Sequence, residues 1–256
     1  MNNENFYLTD NLSVKDNNLF FEKDENSKKV KIKINKKNWH NYLSEYGWEK
    51  LENHWRKKIR FGYNYPLGFL DCGAGGDCLF AVIAEAFNLE DIYKNGNGNI
   101  YSIESVRKVA SEQINKSNFD EIISIYRALY ENNDFDGDWN PTEINSVDEF
   151  RKVISTSGDK YWGDHICLNL IQNALNINFI VMKTDFSIEN YDNSGYFYPI
   201  GQDLDKNGKY IIIYYTDEIH FQLVGYFNGN VMKTIFLYEE LPEKLIELYK
   251  MDMNKS

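Results

Sequence analysis

The spacing of apolar residues changes along the chain and indicates both strands and helices. Segments 19–22 and 30–34 have strand-like composition, and lysines alternate with Val and Ile in the second segment, as in an edge strand with one solvated face. The following apolar and aromatic residues recur at helical spacing: Trp39, Tyr42, Leu43, Tyr46, Leu51 and Trp55. We therefore predict a hairpin and one or two amphipathic helices in residues 1–65, as an N-terminal extension that packs on the remainder of the chain.

In residues 66–256, the predicted helices mostly precede the predicted strands. Helices are predicted at 77–87, 103–116, 119–131, 147–155, 166–176 and 241–251, and strands at 179–182, 210–215, 221–227 and 231–237. Asn228 and Gly229, between the last two strands, are typical of a two-residue hairpin. This order of elements predicts the α+β fold class.

The composition restricts the classes of function. Apolar residues make up 43% of the 256 residues, which suffices for a substantial core, and the formal charge is 28 − 39 = −11. Because nucleic acids and anionic membranes require basic surfaces, we expect no nucleic-acid or membrane partner, and an acidic surface favours a basic protein partner. Three cysteines imply no disulfide framework and cannot form a four-thiolate zinc site. No signal-peptide pattern or membrane-spanning run occurs, so we expect an intracellular, cytosolic protein.

Cys78 has the sequence surroundings of a nucleophile. It opens a predicted helix directly after the glycine-rich residues 73–76, and the unpaired N–H groups at a helix start favour a thiolate. Glycines also allow the N–H groups of this loop to converge on an oxyanion. A cysteine nucleophile needs a base, and His220 lies at the start of a predicted strand. These two features alone are equally compatible with a buried cysteine and a partly exposed strand histidine.

Three short blocks resemble the ovarian-tumour (OTU) family of cysteine proteases, which are deubiquitinases. The sequence Gly76-Asp77-Cys78-Leu79-Phe80 resembles the nucleophile motif of that family, whose usual wording is Asp-Gly-Asn-Cys-Leu-Phe. Tyr161-Trp162-Gly163-Asp164 resembles its Trp-Gly block, and His220-Phe221-Gln222-Leu223-Val224 resembles the end of its catalytic strand. The blocks occur in the expected order within residues 66–228. The resemblance implies a papain-like fold, with a central, mostly antiparallel sheet flanked by helices, and a catalytic domain over residues 66–256.

The resemblance assigns Cys78 as the nucleophile, and it assigns Gly75, Gly76 and Asp77 to the oxyanion loop. The loop departs from the family pattern in one respect. Gly75 stands where the family has an aspartate that supports the oxyanion loop.

The resemblance assigns His220 as the base, and three residues are candidates to orient it. Gln222 stands two residues later, where the family commonly has Asp or Asn. A carboxamide oxygen is able to accept the imidazole N–H, so Gln222 is one candidate, and Asp71 and Asp217 are alternatives.

The reaction implied by the resemblance is acyl transfer. Cys78 attacks the carbonyl carbon of the C-terminal glycine of ubiquitin in an isopeptide bond, while His220 takes the thiol proton or keeps Cys78 ionised. His220 then protonates the leaving lysine amine, and water hydrolyses the thioester, without a metal ion or an organic cofactor. Tyr161 and Trp162 are candidates for the groove around the glycine pair, and Glu218 for contact with the basic surface of ubiquitin. The alternatives are that Tyr161 and Trp162 pack in the core and that Glu218 lies in a solvated loop.

Two other functions remain open at this point. Because Gly75 and Gln222 depart from the family pattern, the chain is alternatively a ubiquitin-binding module with weak or no catalysis. The second alternative is a protease of the same type that acts on a ubiquitin-like modifier or a polyprotein. The abundance of Asn, Ile, Lys and Tyr indicates an AT-rich genome, and in a virus or an intracellular bacterium the compartment would be the host cytosol. Residues 132–143 match part of a calcium-loop template, which we interpret as a solvated loop without metal.

Overall fold

The computed structural model describes residues 6–59, 66–135, 137–184, 195–198, 204–216 and 220–253. The strands in these residues are β1 (Phe6–Tyr7), β2 (Leu12–Lys15), β3 (Asn18–Glu25), β4 (Lys28–Lys33), β5 (Trp48–Lys50), β6 (Leu67–Leu70), β7 (Asn178–Thr184), β8 (Gly195–Tyr198), β9 (Lys209–Thr216), β10 (His220–Phe227), β11 (Met232–Lys233) and β12 (Ile235–Leu237). The α-helices are α1 (Trp39–Tyr42), α2 (Asn53–Ile59), α3 (Cys78–Asn95), α4 (Ile103–Glu112), α5 (Phe119–Glu131), α6 (Val147–Ser155), α7 (His165–Leu175) and α8 (Glu243–Met253).

A central sheet runs through the molecule in the order β5-β6-β10-β9-β7-β8, with β11 paired to β10 and β12 to β9. Strands β7 and β9 are parallel, and the other paired strands in the described part of this sheet are antiparallel. Helices cover both faces, so the α+β prediction and its mostly antiparallel central sheet are confirmed.

Alternating residues of β9 face two different hydrophobic cores. Ile211 and Ile213 pack with residues of α3 to α7, whereas Ile212 and Tyr214 pack with residues of α2 and α8. This alternation follows from the period of two in a β-strand, and it explains why β9 is apolar at almost every position. The sheet therefore lies between a large helical layer and a smaller one formed by α2 and α8.

The N-terminal residues form a second sheet in the order β1-β2-β3-β4. Strand β4 lies at its edge with Lys29, Lys31 and Lys33 exposed, as the alternation predicts. The predicted helical segment 38–60 is instead interrupted. Gly47 has a φ of 98°, which ends a short 3-10 turn after α1, and β5 then joins the central sheet before α2 begins.

Two smaller features differ from the prediction. The strand expected at 231–237 is divided into β11 and β12, which pair with different neighbours. The hairpin after β10 is closed by the Asn228 N–H donating to the Val231 carbonyl oxygen at 3.2 Å, so Gly229 and Asn230 are its central residues. Gly229 has a φ of 115°, as a tight turn requires. No helix in the described residues is long and apolar enough to span a bilayer.

Candidate active site

Cys78 is the first residue of α3 and follows a 3-10 turn at Gly75–Asp77. Only 2% of its surface is exposed. Burial raises the pKa of the Cys78 thiol, and the backbone N–H groups of Phe221, Leu79 and Cys78 itself, which face the sulfur, oppose this increase. The resting site therefore favours the neutral thiol, while N–H donors already point to the position of a thiolate.

The Phe221 N–H faces the Cys78 sulfur, and His220 is the residue before Phe221 in β10. The ring Nε2 of His220 is 3.2 Å from Oδ1 of Asp71. If the neutral ring donates from Nε2 to this carboxylate, its lone pair is on Nδ1. Asp71 therefore contacts the histidine in the manner of an orienting residue.

Strand register explains why Asp71 reaches this position. Leu70 pairs with Leu223 across β6 and β10, so Asp71, the next residue after β6, is level with Gln222. Gln222 pairs with Tyr214 on β9, and its side chain makes no hydrogen bond within the described residues. The structure thus brings Asp71, rather than Gln222, into contact with His220. Asp217 lies outside the described residues.

The oxyanion loop is held by carboxylates at two of its N–H groups. Asp71 Oδ1 accepts from the Gly73 N–H at 3.1 Å, and Asp159 Oδ1 accepts from the Gly76 N–H at 3.1 Å. Gly75 has a φ of 69°, a left-handed conformation that glycine adopts without strain. Because the N–H groups of Gly73 and Gly76 already have acceptors, neither is available to an oxyanion in this conformation.

Arg107 of α4 is fully buried beneath the loop. Its Nε donates to Oδ1 of Asp77 at 2.6 Å, and its guanidinium lies 4.0 Å from the centre of the Phe80 ring. It also donates to four backbone carbonyl oxygens, those of Gly76, Ile154, Gly158 and Tyr161. Sequence reasoning missed this residue, because an arginine in an amphipathic helix normally lies at the surface.

The sequence matches the family model described as OTU-like cysteine protease over residues 73–221, which is more than half of the chain. The chain belongs to this family. The matched segment contains Cys78 and His220, although it does not include Asp71. No curated protein matches the sequence.

Solved OTU structures are similar to the chain at low sequence identity. A structure of an OTU domain in complex with ubiquitin is 16% identical with a TM-score of 0.42, and the match covers 72% of this chain and 84% of that one. An OTU deubiquitinase from Wolbachia pipientis wMel bound to ubiquitin is 12% identical with a TM-score of 0.43, covering 64% and 99%. The Hazara virus OTU bound to ubiquitin is 11% identical with a TM-score of 0.37, covering 86% and 93%.

Tyr161 and Trp162 of this member of the OTU family line a cavity of about 280 Å³ next to Phe221. Tyr161 is only 1% exposed, and its hydroxyl is 2.8 Å from that of Tyr126, which donates to Asp164 Oδ2 at 2.7 Å. Tyr161 thus has the contacts of a core residue, whereas Trp162 is partly exposed. A role for either in substrate binding stays a prediction, and Glu218 lies outside the described residues.

Residues 132–143, which match part of the calcium-loop template, make contacts of their own within the protein. Trp139 packs in an aromatic cluster with Tyr126 and Phe150, and the Asn140 side chain accepts from the Thr142 N–H at 3.0 Å. Asp136 lies outside the described residues, and the residues that are described contain no group of side chains able to hold a metal ion.

Proposed function

We propose that this OTU-like protease is a deubiquitinase that hydrolyses isopeptide bonds after the C-terminal glycine of ubiquitin. The observation that carries the proposal is the contact of 3.2 Å between His220 Nε2 and Asp71 Oδ1. The next residue of the same strand, Phe221, has its N–H facing the Cys78 sulfur. Family membership supports the cysteine-protease chemistry, and the three sequence blocks support ubiquitin as substrate. The net charge of −11 is complementary to the arginine-bearing tail that the family resemblance implies for the substrate.

The first step is proton transfer from Cys78 to His220 at the moment of attack. Burial raises the pKa of the Cys78 thiol, so burial alone favours the neutral thiol before attack. His220 therefore acts as a general base, with Asp71 accepting the other ring N–H and stabilising the imidazolium that forms. The N–H groups that face the sulfur lower the cost of the thiolate.

In the next step, the sulfur bonds to the carbonyl carbon and the carbonyl oxygen becomes an oxyanion, which backbone N–H groups at the start of α3 stabilise. Collapse of this intermediate breaks the C–N bond, and His220 gives its proton to the leaving lysine amine. Water then attacks the thioester with His220 again as base, which releases ubiquitin and restores the thiol.

The test is covalent capture by ubiquitin that carries a C-terminal electrophile, measured by intact mass. We expect one adduct in the parent protein and in Cys72→Ala, which removes another cysteine of the same region, and none in Cys78→Ala. His220→Ala should slow capture strongly. Binding of ubiquitin without an adduct would favour the binding module. If the protein neither binds nor reacts, ubiquitin is not its substrate, and a panel of ubiquitin-like modifiers would identify the alternative.

A further inference from the structure

Two loops that are distant in sequence hold each other by reciprocal hydrogen bonds beside Cys78. The oxyanion loop (residues 73–77) donates from the Gly76 N–H to Asp159 Oδ1 at 3.1 Å. In return, the loop at residues 156–160 donates from the Gly158 N–H to Asp77 Oδ2 at 2.8 Å. Each carboxylate therefore accepts from the backbone of the opposite loop, which fixes both the distance and the orientation between the loops.

The packing between these loops is close enough to require glycines. A Cβ atom at Gly76 would clash with the Gly158 carbonyl oxygen, and one at Gly75 would lie 2.8 Å from Asp159 Oδ1. The Asp159 carboxylate thus occupies the space into which any side chain at position 75 would project. Beneath the contact, Arg107 donates to carbonyl oxygens of both loops, at Gly76 and at Gly158.

We propose that Asp159 is a positioning residue of the active site, which holds the oxyanion loop in its catalytic conformation through Gly76. Gly76 is in this view the point of attachment of the loop and not an oxyanion donor, because its N–H is already engaged. The contact of Asp159 is with the Gly76 N–H, so we expect Asp159 to act on the rate through the placement of the neighbouring N–H groups. The proposal rests on the acyl-transfer chemistry proposed above, and it assigns a role to a residue outside the three sequence blocks.

The expected effect is specific to reactions that form an oxyanion. Acyl transfer to Cys78 develops negative charge on the carbonyl oxygen, and a displacement of its donors by about 1 Å lowers the rate by up to about a hundredfold. Alkylation of the same thiol by iodoacetamide forms no oxyanion and depends only on the nucleophile and its base. Comparison of the two reactions therefore separates positioning of the loop from general disturbance of the site.

The experiment measures three rates in the full chain: acetylation of Cys78 by p-nitrophenyl acetate, alkylation by iodoacetamide, and hydrolysis of a C-terminal ubiquitin conjugate. Asp159→Ala removes the acceptor, Asp159→Asn retains an oxygen that accepts the Gly76 N–H, and Asp148→Ala is the matched control at an aspartate that is 94% exposed. Because Asp159 is itself exposed, these variants should fold, which circular dichroism verifies.

We expect Asp159→Ala to slow acetylation about ten- to hundredfold and to lower kcat for the conjugate without raising KM, with alkylation within about twofold of the parent. Asp159→Asn should recover most of the loss, and Asp148→Ala should match the parent. Equal slowing of alkylation and acetylation, an unchanged acetylation rate, or no recovery in Asp159→Asn would overturn the inference. A parent that is acetylated at Cys78 but does not cleave the conjugate would overturn the proposed function alone, since the acetylation rates still decide the role of Asp159. A parent that neither accepts acetate nor cleaves the conjugate would overturn both.

Discussion

Replacement of Asp71 tests which side chain orients His220, the proposed base. In Asp71→Ala, His220 Nε2 loses the carboxylate that lies 3.2 Å away, and the Gly73 N–H loses its acceptor at 3.1 Å. Asp71→Asn keeps an oxygen at this position but removes the charge. Gln222→Ala is the matched control, because Gln222 is one of the candidates that the sequence offers for the orienting role and is level with Asp71 on the neighbouring strand.

The size of the effect follows from the exposure of the pair. Loss of a buried orienting aspartate lowers kcat by about 10⁴ in serine proteases. Asp71 is 58% exposed here and the His220 ring 21%, so water screens the interaction and replaces part of it. A hydrogen bond to a charged group contributes about 1.5–3 kcal/mol. We therefore expect Asp71→Ala to lower kcat/KM about ten- to hundredfold, Asp71→Asn about three- to tenfold, and Gln222→Ala less than about threefold.

The assay must separate the histidine from the loop, because Asp71 contacts both. Hydrolysis of a ubiquitin conjugate reports on both functions, whereas alkylation of Cys78 by iodoacetamide depends on the base and forms no oxyanion. If Asp71 orients His220, Asp71→Ala slows both reactions, and added formate restores part of the rate because the site is open to solvent. Unchanged alkylation would assign Asp71 to the loop alone. A large loss in Gln222→Ala with little loss in Asp71→Ala would refute the reasoning.

Three further predictions concern stability and ionisation. Arg107→Leu should lower the free energy of unfolding by about 3–5 kcal/mol in urea denaturation, because it removes the charged donor to Asp77 Oδ1 and to four carbonyl oxygens; a loss below about 1 kcal/mol would contradict this role. Burial raises the pKa of Glu85 above its usual 4.5, because the folded state favours the protonated carboxyl group. The contribution of Glu85 to the free energy of unfolding is therefore complete below pH 4.5 and is lost as pH rises through the folded pKa. Glu85→Gln, which still accepts from Tyr46, should therefore raise stability at pH 7 and not at pH 4; an equal effect at both would contradict it. In His220→Ala, alkylation of Cys78 should still increase with pH at pH 9, since burial raises the thiol pKa above its usual 9.0, and a plateau below pH 9 would refute this.

Hydrophobic periodicity predicts the helices and strands that bury one face, and it fails for elements whose structure depends on tertiary contacts. Helices α3 to α7 and strands β9 and β10 lie where the apolar spacing places them. Strand β5 was missed because it has only three residues and lies within the segment 39–55, whose apolar residues recur at helical spacing, and its pairing with β6 is a tertiary contact. Gly47, the weak point of the predicted helix, ends the preceding 3-10 turn. Strand β8 was also missed, because it is short and its place in the sheet depends on pairing with β7.

The site shows the same division between local and distant signals. Cys78 and His220 are recognisable because their neighbours in sequence carry the chemistry. Asp71 was only one of several candidates, because its contact with His220 joins residues 149 positions apart. Asp159 gives no local signal at all, since an exposed aspartate in a Gly-Asp loop is typical of ordinary turns.

The contact between Asp71 and His220 depends on the register of β6 and β10, and packing by the N-terminal segment reinforces that register. Gly68 and Gly225 are paired across the two strands. A Cβ atom at Gly68 would lie 2.7 Å from the Trp39 ring, and one at Gly225 would lie 2.5 Å from the Trp48 ring. The two indoles therefore fit only against this pair of glycines, and a shift of one residue would place bulky side chains against them. Since Trp48 also belongs to β5, which pairs with β6, residues 39–50 contribute directly to the geometry around His220, although they precede the segment that resembles the family.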